Sequence, residues 1–256
     1  MAGAFYERSG DALIPSELTR GPWDPGAQHA GPPSALLARA LERCQPREGM
    51  RMGRITVEIL GPVPLAPLTV EASVVRPGRS VELLAASLSG PDGEVMRASA
   101  WRVAVGDQRL GEDDPPPPGP DQGSERDFFP TGEEQGYHTA MEYRFVQGGF
   151  LEPGPALVWM RQRGPLVEGE QPSPLERLMV VADVGNGVSA VLDWREYLFI
   201  NTELTVHLVR LPEGEWVGVD AITRVDGVGL AETVLWDERG RLGRGAQTLL
   251  VRPRGG

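Results

Sequence analysis

The chain repeats itself, and the repeat limits what it can fold into. "RITVEIL" (54–60) is followed by a Pro-rich turn, "LTVEASVV" (68–75), "SVELLAASL" (80–88), the turn "GPDGE" (90–94) and "VMRASAWRVAV" (95–105). The same order returns as "ELTVHLV" (203–209), "LPEGE", "WVGVDAITRV" (216–225), "VGLAETVLW" (228–236), "DERGR" (237–241) and "LGRGAQTLLV" (242–251). Thr56 to Gly93 is 37 residues and Thr205 to Gly240 is 35. The runs alternate apolar and polar with period two and are punctuated by Gly and Pro, the pattern of antiparallel strands.

One amphipathic segment precedes each set. "PPSALLARALERC" (32–44) and "SPLERLMVVAD" (173–183) carry apolar residues at helical spacing, and Pro33 and Pro174 suit a first turn, where a missing N–H costs nothing. Each half therefore reads as one long helix wrapped by a curled antiparallel sheet, an α+β architecture. The expected division is an N-terminal unit over 1–105, a Pro/Gly/acid-rich linker over 106–136 and a C-terminal unit over 137–256. "YHTAMEYRFVQGGF" (137–150) with "ALVWMRQRG" (156–164) reads as the opening hairpin of the second unit. Its expected counterpart is "GAFYERSGDALIPSE" near the N-terminus.

Composition removes several classes of function. The net charge is −11, and every one of the 25 basic residues is arginine. Nucleic-acid binders need a dense basic footprint, so nucleic acid is not an expected partner. Any phosphate here would be met by guanidinium forks or backbone amides. One cysteine, Cys44, excludes a disulfide framework and a Cys-rich zinc site, and three dispersed histidines disfavour a transition-metal site. Cys44 reads as a helix-end packing residue and His207, mid-strand, as structural. The apolar runs are too short to span a bilayer, and "MAGAFYERSG" has no basic-then-apolar leader pattern. A soluble, cytoplasmic chain with no membrane partner is the expectation.

The residue that asks for a chemical explanation is Asp183, a carboxylate at the end of an apolar helix with no basic neighbour in sequence. It stands in "VVADVGNG" (180–187), which resembles the Ser-Asp helix end of the acyl-CoA thioesterase II family and its actinobacterial thioesterase-like relatives. "HAGPPSALLARAL" (29–41) is similar to that family's His/Phe-Gly-Gly helix start, and "GAQTLLVR" (245–252) to its last strand. The resemblance covers nearly the whole chain and implies a double hot-dog fold. It also implies hydrolysis of an acyl-CoA thioester in fatty-acid metabolism, with CoA as part of the substrate and no separate cofactor or metal. In that family an Asp, a Thr and a Gln hold a nucleophilic water. Asp183 and Gln247 match directly; the Thr position falls on Asn201, with Thr202 one step away, and a one-residue slip would reverse which of them faces the site. His29, Ala30 and Gly31 would line the substrate side, the N–H groups of Ala30 and Gly31 serving the oxyanion. Free sheet edges point to a homo-oligomer.

Matching Gly93 to Gly240 puts Ala100 opposite Gln247, and matching Pro33 to Pro174 puts Glu42 opposite Asp183, so the polar set is complete only once. Other readings stay open. Asp183 could simply turn the chain into "VGNG", and Gln247 could satisfy a sheet-edge amide. Asp24 and His29 in "WDPGAQHAGPPSA" (23–35) have the Asp-x4-His spacing of hot-dog enoyl-CoA hydratases, though without the Asn-Pro pair of that motif. A non-catalytic acyl-CoA-binding protein on the same fold is the third reading.

Overall fold

In a computed structural model of the chain, which describes residues 3–108, 115–130 and 132–254, the two anchor glycines of the repeat do the same thing. Gly93 and Gly240 take φ of +122° and +139°, a region that residues with a Cβ avoid. Among the described residues the elements are, in order, β1 (Tyr6–Ser9), β2 (Ala12–Pro15), α1 (Gly31–Arg43), β3 (Met50–Ile59), β4 (Thr69–Arg76), β5 (Val81–Gly90), β6 (Gly93–Ala104), α2 (Tyr137–Ala140), β7 (Met141–Gly149), β8 (Glu152–Gln162), α3 (Pro174–Ala182), α4 (Gly185–Val188), β9 (Tyr197–Asn201), β10 (Glu203–Leu208), β11 (Val217–Asp226), β12 (Val228–Asp237) and β13 (Gly240–Pro253). Each anchor glycine opens the second strand of a hairpin, β5–β6 and β12–β13. Each hairpin also has a bulge at the same place, one residue pair from the turn side of Leu88 and of Leu235. A bulge bends the ladder and increases its twist, so both halves curl alike.

The strands β3 to β13 form one antiparallel sheet in the order β4-β5-β6-β3-β10-β13-β12-β11-β8-β7, with β9 paired to the second half of β13. The halves are stitched by β3 and β10, in which Thr56 lies opposite Thr205. These are equivalent residues of the two copies. Their direct pairing is what a local two-fold demands, because a symmetric contact sets the same patch against itself. The sheet curls around α1 and α3, which pack on each other inside it. Leu36, Leu37, Leu41, Leu175, Leu178 and Met179 are at most 1% exposed, so each helix is covered by the sheet on one side and its partner on the other.

The copies are not equal. β7–β8 joins the main sheet through β11, whereas the expected N-terminal counterpart, β1–β2, is a pair of four-residue strands in a sheet of its own. It is tied on by Leu13 and Leu68, which exchange both backbone hydrogen bonds, and by Phe5 and Tyr6 donating to Pro165 and Leu166. Of the expected linker 106–136, residues 109–114 and 131 lie outside the described set. Most of the rest is exposed, but it is held at several points. Trp159 Nε1 donates to the Pro118 carbonyl at 2.7 Å, Ser124 pairs with Phe145, and Phe129 is 7% exposed. Aromatic burial thus holds a segment whose composition reads as a loose tether.

The helix pair meets most closely where Gly31 faces the Val180 carbonyl. A Cβ at Gly31 would lie 2.3 Å from that oxygen, and Tyr137 Oη donates to the same atom at 2.9 Å. Gly187 on α4, by contrast, has open space where a Cβ would stand. Gly31→Ala is expected to destabilise the chain by about 1–3 kcal/mol in urea unfolding. Gly187→Ala should stay within about 1 kcal/mol of the parent, on the stabilising side.

Candidate active site

The C-terminal end of α3 lies beside the turn that starts α1. Asp183 caps α3 and is 4% exposed. Two amides from distant strands converge on one oxygen of its carboxyl. Asn201 Nδ2, at the end of β9, donates to Asp183 Oδ1 at 2.8 Å. Gln247 Nε2, in the middle of β13, donates to the same Oδ1 and to the Asp183 carbonyl, both at 3.1 Å. Asp183, Asn201 and Gln247, the last two 18 and 64 residues from the first in sequence, are therefore neighbours.

The neighbours fix the amide orientations. Gln247 Oε1 accepts from the Asn186 N–H at 3.1 Å, and Asn186 Nδ2 donates to the Phe199 carbonyl. The Asn201 amide hydrogens also reach the Glu203 carbonyl at 3.3 Å. Gln247 is thus spent on protein groups at both ends, while Asn201 Oδ1 has no protein donor among the described residues. Asn186 is a site residue that the sequence reading did not single out. "GNG" reads as a turn, but it opens the short helix α4, whose second residue gives its N–H to Gln247. Thr202, the alternative to Asn201, is exposed, and its N–H and hydroxyl go to the Thr248 carbonyl, away from Asp183.

His29 faces the other carboxyl oxygen, with Nδ1 3.3 Å from Asp183 Oδ2. The ring lies flat on Tyr137, centroids 3.8 Å apart and planes within 6°. Gly31 N–H points at the same Nδ1 at 3.0 Å, which makes Nδ1 an acceptor and places the imidazole hydrogen on Nε2. The pair is not an ion pair. Burial drives both partners to their neutral forms, lowering His29 to about 3 and raising Asp183 to about 7. The hydrogen bonds from Asn201 and Gln247 favour the carboxylate and oppose part of that rise. Nδ1 has one lone pair and the Gly31 N–H takes it, so His29 offers Oδ2 no hydrogen and that oxygen stays open to a further donor. Whatever supplies a hydrogen at that spot is then favoured.

Gly31 has a reason that the sequence does not reveal. Its missing side chain makes room for the Val180 carbonyl of α3, and its N–H is already given to His29. Ala30 N–H, one residue earlier, has no protein acceptor among the described residues. The hydratase-type spacing of Asp24 and His29 does not become a contact. Asp24 is exposed and accepts from Gly26 N–H at 2.8 Å, a local turn bond. Among the described residues no group of three or more His, Cys, Asp or Glu side chains is gathered as a metal site requires, and no helix is long and apolar enough to cross a membrane.

Two family models match the chain, one after the other along it. Residues 19–103 match the acyl-CoA thioesterase N-terminal domain, and residues 112–251 match the acyl-CoA thioesterase C-terminal domain. A search of curated proteins finds no match to this chain. Among solved structures, a protein from Alicyclobacillus acidocaldarius described as having a hot dog fold is similar, with TM-score 0.72, 16% identity, and 98% of this chain and 96% of that one covered. The tesB protein of Mycobacterium avium subspecies paratuberculosis matches with TM-score 0.69, 14% identity, and 97% and 96% covered. The acyl-CoA thioesterase II TesB2 of Mycobacterium marinum matches with TM-score 0.62, 16% identity, and 82% and 84% covered. These likenesses show a hot-dog fold in two tandem copies.

A raised carboxyl has a cost that depends on pH. The unfolded chain ionises Asp183 near 4 while the folded chain holds its proton to about 7, so its contribution to stability falls as pH rises through that window and is flat above it. Asp183→Asn keeps an acceptor for Asn201 and Gln247 and does not titrate. Its melting temperature should exceed that of the parent by at least about 3 °C more at pH 8 than at pH 5. Parallel melting curves across that range would show that Asp183 is not held neutral.

Proposed function

The chain belongs to the acyl-CoA thioesterase family, and from that premise we propose that it hydrolyses an acyl-CoA thioester with a water activated by Asp183. Family and fold support thioester hydrolysis in general. The observation that carries the residue assignment is the state of the Asp183 carboxyl. One of its oxygens is held by two amides, the other has no N–H donor among the described residues, and burial raises the group to about 7. A general base works best when its pKa lies near the working pH, and an ordinary aspartate is too weak for the task.

In this reading the water sits against Asp183 Oδ2 and Asn201 Oδ1, the two acceptors that the protein leaves open. It donates one hydrogen to Oδ2, which His29 does not supply, once the carboxyl is ionised. Its oxygen attacks the thioester carbonyl as its proton passes to Asp183. The negative charge moves to the carbonyl oxygen, for which Ala30 N–H and His29 Nε2–H are the uncommitted donors on the turn before α1. When the tetrahedral intermediate collapses, the C–S bond breaks and the leaving thiolate takes the proton back from Asp183. The products are a free acid and CoA thiol. Gln247, committed to Asp183 and Asn186, acts by holding the carboxyl still, which is an orientation effect. One carboxyl, two amides and an imidazole already bonded at Nδ1 are not a metal-binding set, so the step is assigned to water and protein alone.

Thiol release from a panel of acyl-CoAs tests this. kcat/KM should climb about tenfold per pH unit up to about pH 7 and level off above it. Asp183→Asn should lose a factor of about 10²–10⁴. Asn201→Ala removes a bond that favours the carboxylate, so its acid limb should shift to higher pH, with partial recovery at pH 9. CoA binding without turnover in the parent enzyme would instead favour the non-catalytic reading, and equal rates in parent and Asp183→Asn would remove Asp183 from the chemistry.

A further inference from the structure

Beyond the carboxyl site, the structure has a second feature that no part of the hydrolytic step uses. A cavity of about 330 Å³ is lined by Trp23, Phe129, Trp194, Arg195 and Arg254 with two prolines, and no acidic side chain lines it. That is unusual for a chain in which 36 acidic residues outnumber 25 arginines. Arg195 and Arg254 have no carboxylate partner among the described residues, unlike Arg144, which pairs with Glu125 and Glu142, and Arg161, which pairs with Glu142 and Glu215. Arg195 lies over the Trp194 ring at 5.2 Å, and Arg254 is 5.8 Å from the Trp23 ring while its Nε donates to the Trp194 carbonyl at 2.7 Å. Two guanidinium groups are thus parked on indole faces with their remaining N–H groups unspent. A smaller cavity of about 180 Å³ adjoins it, sharing Phe129, Trp194 and Arg195, and there Glu152 and Asp193 contribute carboxylates.

The cavity is connected to the carboxyl site by two segments. The loop from Trp23 to His29 runs from one to the other, pinned by Tyr6 Oη to Gln28 Oε1 at 2.6 Å and Gln28 Nε2 to the Pro64 carbonyl at 2.7 Å. β9 runs beside it. Asn201 pairs with Leu249 at the site end and Tyr197 with Pro253 at the cavity end, and the Trp23 ring meets Phe199 edge-on at 5.0 Å between them. Strand rise makes that path about 13–17 Å, on the scale of an extended pantetheine arm.

We propose that this aromatic, arginine-edged cavity holds the 3′-phosphoadenosine end of CoA, with the base between indole rings and the phosphates on Arg195 and Arg254. The inference rests on the acyl-CoA reading and specifies how that substrate is gripped. Aromatic faces take a purine by stacking, and guanidinium forks match phosphate oxygens in pairs. The two functions need opposite fields. The carboxyl site must stay free of cations to keep Asp183 near neutrality, so the phosphates have to be met a full pantetheine length away.

The test is calorimetric titration of the full chain, which needs no turnover and so can fail separately from the hydrolase reading. CoA and adenosine 3′,5′-bisphosphate should compete for one site. Arg195→Ala with Arg254→Ala, both at exposed positions, should raise the Kd of each at least tenfold and leave the Kd of pantetheine within twofold. Trp23→Leu should weaken the nucleotide probe at least fivefold. In steady state the double variant should raise KM for acyl-CoA far more than it lowers kcat. Unchanged Kd for CoA in the double variant would overturn the proposal, as would failure of the nucleotide probe to compete. A Trp23→Leu variant that changes acyl-chain preference on thioesters lacking the nucleotide, with CoA binding intact, would also overturn it by placing the acyl group there.

Discussion

A carboxyl group buried without a cation is the interaction around which the rest of this molecule is arranged. Asp183 stands at the C-terminal end of α3, where the unpaired carbonyls already carry partial negative charge. Ionising it there is unfavourable on both counts, burial and dipole. Neutral donors soften that cost without abolishing it, as an arginine would. Asn201 and Gln247 supply such donors, and each is locked by a further contact, Asn201 through the Glu203 carbonyl and Gln247 through Asn186 N–H. The positions of α4, β9 and the middle of β13 all follow from the need to bring those groups to one oxygen.

The two-fold organisation explains why the opposite end of the helix pair looks so different. Glu42 is the repeat equivalent of Asp183, and it accepts from Ser173 Oγ at 2.5 Å where α1 ends against the start of α3. The same offset sets Glu170 against His29. Glu170 is gripped by Arg39 at 2.6 and 2.9 Å and by Arg43 at 2.6 Å, which hold it down at about 2. Ala100 occupies the place of Gln247. One end of the pair therefore carries a charged glutamate held by arginines, beside Glu176, which burial and the neighbouring Glu42 raise to about 7, and the other carries a raised carboxyl met by neutral amide donors.

Much of this was legible in the sequence because it depends on local periodicity. The strands of both repeats alternate with period two, and the hairpin corners are marked by Gly93 and Gly240, so their existence and order could be read directly. Asp183 stood out because an acid on an apolar face is a local anomaly. What depends on tertiary register was not legible. Nothing in "VGNG" says that Asn186 will reach Gln247, nor in "HAGPP" that Gly31 makes way for the Val180 carbonyl rather than for a ligand. The choice between Asn201 and Thr202 needed the pairing of β9 with β13, because one step along a strand reverses the side chain. The segment 106–136 is a further case of this kind. Its composition describes a tether, while Phe128 and Phe129 dock it in an aromatic cluster that only the fold assembles.

The central claim is that Asp183 is neutral at mildly acidic pH and becomes a base near neutrality. Isotope-edited infrared spectroscopy of the carboxyl stretch, taken as the difference between the parent chain and Asp183→Asn across pH 4 to 9, reads that ionisation without any substrate. The account predicts a protonated carboxyl band that persists through pH 6 and disappears with a midpoint at about 7. A midpoint near the ordinary aspartate value of about 4 would contradict it.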